Sequence, residues 1–153
     1  MSNINTKRGL LPSTLLFITL LAEVILHFVI PIKMIILSPY RYFGVIFIIF
    51  GVVMNIWADA LFKKHQTTVK PDGKPVYLVA EGPFRISRHP MYLGMLSILF
   101  GIAIILGSVI TFISPVIFFV IMNQKFIRTE EESMIKEFGE KYYNYQKETK
   151  KWI

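Results

Sequence analysis

Cysteine is absent from the 153 residues, which excludes disulfides, thiolate metal sites and a cysteine nucleophile. Histidine is scarce: His27, His65 and His89 lie in different segments and form no i, i+4 ligand pair, so a metal site has no support. No glycine fingerprint of the soluble dinucleotide-binding kind occurs. Acidic residues number 10 against 17 lysines and arginines. In a soluble protein the resulting net charge of +7 would point to nucleic acid. A hydrophobic content of 54% and a mean hydropathy of +0.53 describe instead a single membrane domain with no nucleic-acid partner.

Charge is also missing from long stretches. Leu10–Ile30 is long enough to cross a hydrocarbon core of roughly 30 Å. It is too long for an ordinary signal-peptide core, and no small-x-small cleavage site follows it. Glu23 and His27 interrupt it at i, i+4, on one helix face, where a helix–helix hydrogen bond is expected and the lining of a substrate cavity is the alternative. After a short loop with Pro31, Lys33, Pro39 and Arg41, a second span runs from Tyr42 to Leu61. Asn55 and Asp59 near its end are placed to anchor the helix terminus, to orient a loop or to meet a ligand amine. Residues 62–89 form the one long polar segment, with a tight turn at Pro71-Asp72-Gly73 and a short alternation at Pro75–Ala80 compatible with extended chain. From Met91 to Ile127 the only formal charge is Lys125. A single helix there would be roughly 55 Å long, so two spans joined near Gly107-Ser108 fit better, with Ser114-Pro115 kinking the second.

The expected fold is therefore all-α and polytopic: four transmembrane helices over about 10–30, 42–61, 91–106 and 109–127, then a C-terminal amphipathic cytoplasmic helix. On this topology 15 of the 17 lysines and arginines share one side, and only Lys33 and Arg41 fall on the other. That bias predicts a cytoplasmic location for both termini.

Two polar blocks fall on that side. In E-G-P-F-R-I-S-R-H-P-M-Y-L-G, residues 81–94, Gly82-Pro83 makes a turn, Arg85, Arg88 and His89 cluster within five residues, and Pro90 opens a helix. The free N–H groups of that first turn suit a carboxylate or phosphate. Gly94 lies one turn in, where a missing side chain admits a ligand or another helix. In E-E-E-S-M-I-K-E-F-G-E-K-Y-Y-N-Y, residues 130–145, Met134, Phe138, Tyr142 and Tyr145 form one helical stripe. Glu131 lies on its centre line, Glu130 to one side and Glu132 toward solvent.

Together these blocks, within residues 65–152, resemble the isoprenylcysteine carboxyl methyltransferase family and the related phospholipid methyltransferases. The resemblance implies an integral membrane enzyme using S-adenosylmethionine, with the R-H-P-x-Y-x-G and E-E blocks cradling the cofactor and an amphiphilic acceptor entering from lipid. The site residues it implies for the cofactor are His89, Pro90, Tyr92, Gly94, Glu130 and Glu131, and likeness to its small bacterial members implies the inner membrane of a bacterium. Arg88 is the candidate for orienting an acidic acceptor or substrate head group, with binding of lipid phosphate alone or contact with the cofactor as the alternatives. Methyl transfer is an in-line displacement, so the protein chiefly aligns donor and acceptor and excludes water, without a metal. The start of the helix at Pro90 suits the donor's carboxylate, Glu131 its ammonium or ribose hydroxyls, and the Tyr92 ring its sulfonium. The family's arginine after the Y-x-x-Y element is replaced: Glu148 aligns there, with Lys147 and Lys150 nearby, which leaves an isoprenylcysteine-type carboxylate, a lipid or an isoprenoid acid open as acceptor. Besides the lipid bilayer and such an acceptor, no obligate protein partner is expected. A transporter or scaffold subunit is the alternative; it would employ Glu23, His27, Asn55 and Asp59 but give the two blocks no role.

Overall fold

The computed structural model describes residues 11–30, 34–67 and 76–153. Residue 10, Pro31, Lys33 and the Pro71-Asp72-Gly73 turn lie outside those residues, as does Pro75. Residues 76–80 form no strand.

Four apolar helices make up the body. Helix α1 spans Pro12–Val29, α2 Phe43–Lys64 after a 3-10 turn at Tyr40–Tyr42, and α3 Pro90–Leu106. The fourth begins as a 3-10 turn at Val109–Phe112, continues as α4 over Ile113–Ile121, loosens into a π-helical stretch at Met122–Ile127 and runs on as α5 over Arg128–Phe138. Helix α6, Glu140–Glu148, follows. Three of the four, Pro12–Val29, Tyr40–Lys64 and Val109–Phe138, are long and apolar enough to cross a membrane. Helix α3, at 17 residues, spans roughly 25 Å and comes close to doing so. The apolar part of the fourth helix ends at Ile127; from Arg128 onward it is charged. The protein is an all-α polytopic membrane protein.

Loops pair at one end of the bundle. The N–H groups of Ile35 and Ile36 donate to the carbonyl of Gly107 at 2.9 and 3.2 Å, and the Arg41 guanidinium donates to the carbonyls closing α3, reaching Leu106 at 3.1 Å. Gly107 ends α3 in the left-handed conformation, φ +74°, so the chain reverses at once into the fourth helix. Pro115 falls within the first turn of α4, where the winding changes from 3-10 to α, and not in mid-helix as the kink expectation had it. A proline there removes an N–H from the part of a helix that tolerates the loss best.

Helices α2 and α3 pack backbone to backbone. A Cβ added to Gly94 would stand 2.7 Å from the Gly51 carbonyl oxygen, and one added to Gly101 2.6 Å from that of Gly44. Between these contacts Ser97 Oγ donates to the Phe47 carbonyl at 2.8 Å. Small residues allow this approach, and without a hydrophobic drive between helices in lipid, close packing and such hydrogen bonds hold the pair together.

The C-terminal region is two helices rather than one, broken at Gly139, φ +52°. The predicted stripe nevertheless stays together. Tyr142 and Tyr145 are buried with Ala58, Leu61, Val79 and Phe84, and Met134 and Phe138 pack against that cluster. A second core joins Leu15 of α1, Tyr92, Met95 and Leu99 of α3 and Phe118 of α4, with Trp152 packed against it.

Three of the four polar residues inside the spans find local uses. His27 Nδ1 lies 2.7 Å from Ser108 Oγ, so the hydrogen bond runs from α1 to the connection before the fourth helix and not, as expected, from helix to helix. Asn55 Nδ2 donates to the Gly51 carbonyl at 2.8 Å, and Asp59 pairs with Lys63 at 2.6 Å, so both serve α2 itself. Glu23 is fully buried, and its carboxyl oxygens have no hydrogen-bond partner among the described residues.

Candidate functional site

The site forms where the start of α3 meets α5 and the chain beyond α6. A 3-10 turn at Gly82–Arg85 leads in. Gly82 adopts φ +59° and lies on Trp57 and Leu61, where a side chain would find no room. The phenol of Tyr145 donates to the Phe84 carbonyl at 2.6 Å, tying this turn to α6. Ser87 Oγ then accepts the N–H of His89 at 3.1 Å and donates to the Lys151 carbonyl at 3.0 Å. Pro90 occupies the first position of α3, as its fixed φ and missing N–H favour.

Glu131 is the hub. Its Oε1 accepts from Arg88 Nη2 at 2.7 Å and Nε at 3.0 Å and lies 3.2 Å from His89 Nε2, while Lys151 Nζ stands 3.6 Å from Oε2. The carboxylate only accepts, so Nε2 of His89 is the protonated nitrogen in that contact. Burial would raise the Glu131 pKa, but hydrogen bonds from His89 and Arg88 and the guanidinium charge prevail and push it down to about 2. For His89, burial works to lower the pKa; the hydrogen bond to Glu131 and the negative charges of Glu130 and Glu131 outweigh it and raise the value. The imidazole is stacked on Tyr92, ring centres 5.6 Å apart and planes 7° from parallel.

Glu130 differs from its neighbour. Its Oε2 is buried and has no hydrogen-bond partner among the described residues, with His89 Nδ1 at 3.5 Å. Glu132 faces solvent and pairs with Arg128 at 3.1 Å. The order read from the sequence, with Glu131 inward, Glu130 beside it and Glu132 outward, is the order observed.

Two of the expected site residues are engaged by the chain itself. The Arg88 guanidinium, the candidate for orienting an acidic head group, donates from Nη1, besides its bonds to Glu131, to the carbonyls of Thr149 at 2.7 Å and Gln146 at 3.3 Å. Its backbone N–H donates to the carbonyl of Lys150 at 3.0 Å. Arg88 clamps α5 and the chain after α6 to the start of α3. At Gly94, where a ligand or another helix was expected, the space a Cβ would occupy is filled by Asn55 and Gly51 of α2. Arg85, the third basic residue of the first block, is exposed and outside the cluster.

Sequence reasoning missed Ser87 and the segment Thr149–Trp152. Lys147, Glu148 and Lys150 are exposed, and it is Lys151 that reaches Glu131. This segment is not helical, so no periodicity marks which side chain turns inward. Beside the cluster, sharing Glu131 and Lys151 with it, an open groove of about 780 Å³ runs along the π-helical stretch past Asn123, Gln124, Lys125 and Arg128.

The fold and site together describe a helical membrane bundle with a buried arginine–histidine–carboxylate cluster at one end. Residues 40–141, two thirds of the sequence with all of the first block and the second as far as Lys141, match the phospholipid methyltransferase family, and the chain belongs to that family. The chain is also similar to an uncharacterized protein of Haemophilus influenzae, 32% identical over 63 residues, which are 41% of this chain and all of that protein.

Proposed function

We propose that the protein transfers a methyl group from S-adenosylmethionine to an amphiphilic acceptor, an isoprenylcysteine-type carboxylate, a lipid or an isoprenoid acid, at the cytoplasmic face of a membrane. Membership of a methyltransferase family supports the reaction class, and membrane methyltransferases of this family generally use that donor. The concentration of lysine and arginine on the side of the cluster supports its placement at the cytoplasmic face.

The observation that carries the reading is the convergence of Arg88-His89 and Glu130-Glu131 from segments some forty residues apart, with Glu130 Oε2 buried beside His89 and, among the described residues, accepting no hydrogen bond. A buried carboxylate oxygen without a partner costs on the order of 1–3 kcal/mol, and an ammonium or a ribose hydroxyl would satisfy it. The donor fits that chemistry: it carries an ammonium for Glu130, hydroxyls for the Glu130-Glu131 pair and a carboxylate for the first turn of α3. When bound, it supplies an electrophilic methyl on a sulfonium. The chain's own part is to bind and orient. Arg88 fixes Glu131, Glu131 and Glu130 hold His89, and His89 backs the ring of Tyr92. The buried cluster keeps water from the start of α3.

Calorimetric binding of S-adenosylmethionine and its demethylated product to protein in lipid nanodiscs tests this. Micromolar binding by the wild type, weakened at least tenfold in Glu131→Gln, is expected. A folded wild type that binds neither compound would refute the reading and bring the transporter or scaffold alternative forward.

A further inference from the structure

The groove beside the cluster raises a question that the methyl donor does not answer: what are its lysines for? Five charged side chains line it. Glu132 and Arg128 pair with each other at 3.1 Å. Glu131 is already met from behind by Arg88 and His89, and it holds Lys151 only at 3.6 Å. Lys125 forms no ion pair with a carboxylate among the described residues. The groove therefore presents a surplus of positive charge, with the amides of Asn123 and Gln124 beside it.

Its position along the fourth helix matters equally. Lys125 is the first charge after an uncharged run from Met91, so it marks the level where hydrocarbon gives way to head groups. Ile113, Val116, Ile117 and Val120 lie at i, i+3, i+4 and i+7, one stripe leading along α4 to Gln124, and each is 41–55% exposed. The helix between stripe and groove is wound as a π-helix, a geometry found in short pieces and often at functional sites.

We propose that the groove and this stripe form a binding site for an anionic amphiphile, its oxyanion head group on Lys125 and Lys151 and its hydrocarbon chain along α4. Resting on the methyltransferase reading, this makes the acceptor an acidic lipid-like molecule, approaching the Glu131 cluster from the side opposite Arg88. The head group's charge is met by the two lysines because Arg88 is fully engaged elsewhere and Arg85 lies outside the cluster. Neutral amphiphiles gain the stripe but not the lysines.

The test is native mass spectrometry of the full chain in detergent with three probes sharing one acyl chain: palmitoyl lysophosphatidate, palmitate and monopalmitoylglycerol. At least one anionic probe is expected to bind tenfold or more above the neutral one. Phosphate preferred over carboxylate identifies a phosphorylated head group, and the reverse identifies a carboxylate. Lys125→Glu should remove more than tenfold of that preference and Lys125→Arg should keep it, each basic residue near an anionic group being worth about fivefold. Lys136→Ala, elsewhere on α5, should change nothing. Equal binding of all three probes, or an anionic preference untouched by Lys125→Glu, overturns the proposal. S-adenosylmethionine binding in the same preparations separates the two readings, since a donor-binding protein without anionic preference loses only this site, whereas absent donor binding removes the methyltransferase reading itself.

Discussion

Replacing Arg88 by alanine should behave as the loss of a structural clamp and not as the loss of a catalytic group. The side chain is only 10% exposed and makes two contacts to Glu131 and two to backbone carbonyls at the end of α6 and beyond. Hydrogen bonds involving a charged group are worth about 1.5–3 kcal/mol each, and removing one partner of a buried ion pair costs about 3–5 kcal/mol. His89 and Lys151 remain beside Glu131 in the variant, which places the expected loss near the lower end, about 3 kcal/mol. Arg88→Lys keeps one charge but not the planar fork, so it should recover less than half. The assay is unfolding in detergent followed by tryptophan fluorescence, since Trp152 lies against Phe119, ring centres 4.9 Å apart, at the segment the clamp holds. Donor binding should fall in parallel with stability. An Arg88→Ala protein within about 0.5 kcal/mol of wild type that binds donor normally yet transfers no methyl group would refute the reasoning and return Arg88 to the reacting atoms.

Stability should fall off on both sides of neutral pH. The Glu131 carboxyl, lowered from 4.5 to about 2, contributes stability that is complete above its unfolded value and is lost as pH falls from 4.5 toward 2. His89, raised above 6.5, contributes stability that is complete below 6.5 and is lost as pH rises through the raised value. Melting temperatures across this range should show both limbs, and His89→Gln should flatten the alkaline one; an unchanged alkaline limb would discount the imidazolium. Gly94→Ala should cost about 1–3 kcal/mol through the collision with Gly51 and Asn55, with donor affinity in the surviving folded fraction unchanged. A stable Gly94→Ala protein with weakened donor binding would restore Gly94 to the cofactor site.

Much of this was legible in the sequence because it depends on period and spacing. A stretch of 37 residues with one charge has to reverse, and Gly107 is where it can. The stripe through Met134, Phe138, Tyr142 and Tyr145 ranked three adjacent glutamates correctly, and it survived the break at Gly139 because both short helices still need an apolar face covered. Roles that depend on a partner remote in sequence were not legible. Arg88 reads as a free cation until Gln146 and Thr149 are seen to fold back on it. Gly94 reads the same whether a ligand or α2 fills the space beside it. Lys151 follows the last helical turn, where no period constrains it.

The N–H of Arg88 and the hydroxyl of Ser87 are bonded to carbonyls of Lys150 and Lys151, and Trp152 is packed against the bundle core. The carbonyls of residues 149–151 are thus as much a part of the clamp as the Glu131 carboxylate. Cutting the chain after α6 would leave every apolar helix in place and Glu131 still facing Arg88, while stripping Ser87 and Arg88 of these carbonyl partners. The bundle and the order of its cluster can therefore be lost separately, the second through backbone groups that no side-chain substitution would reveal.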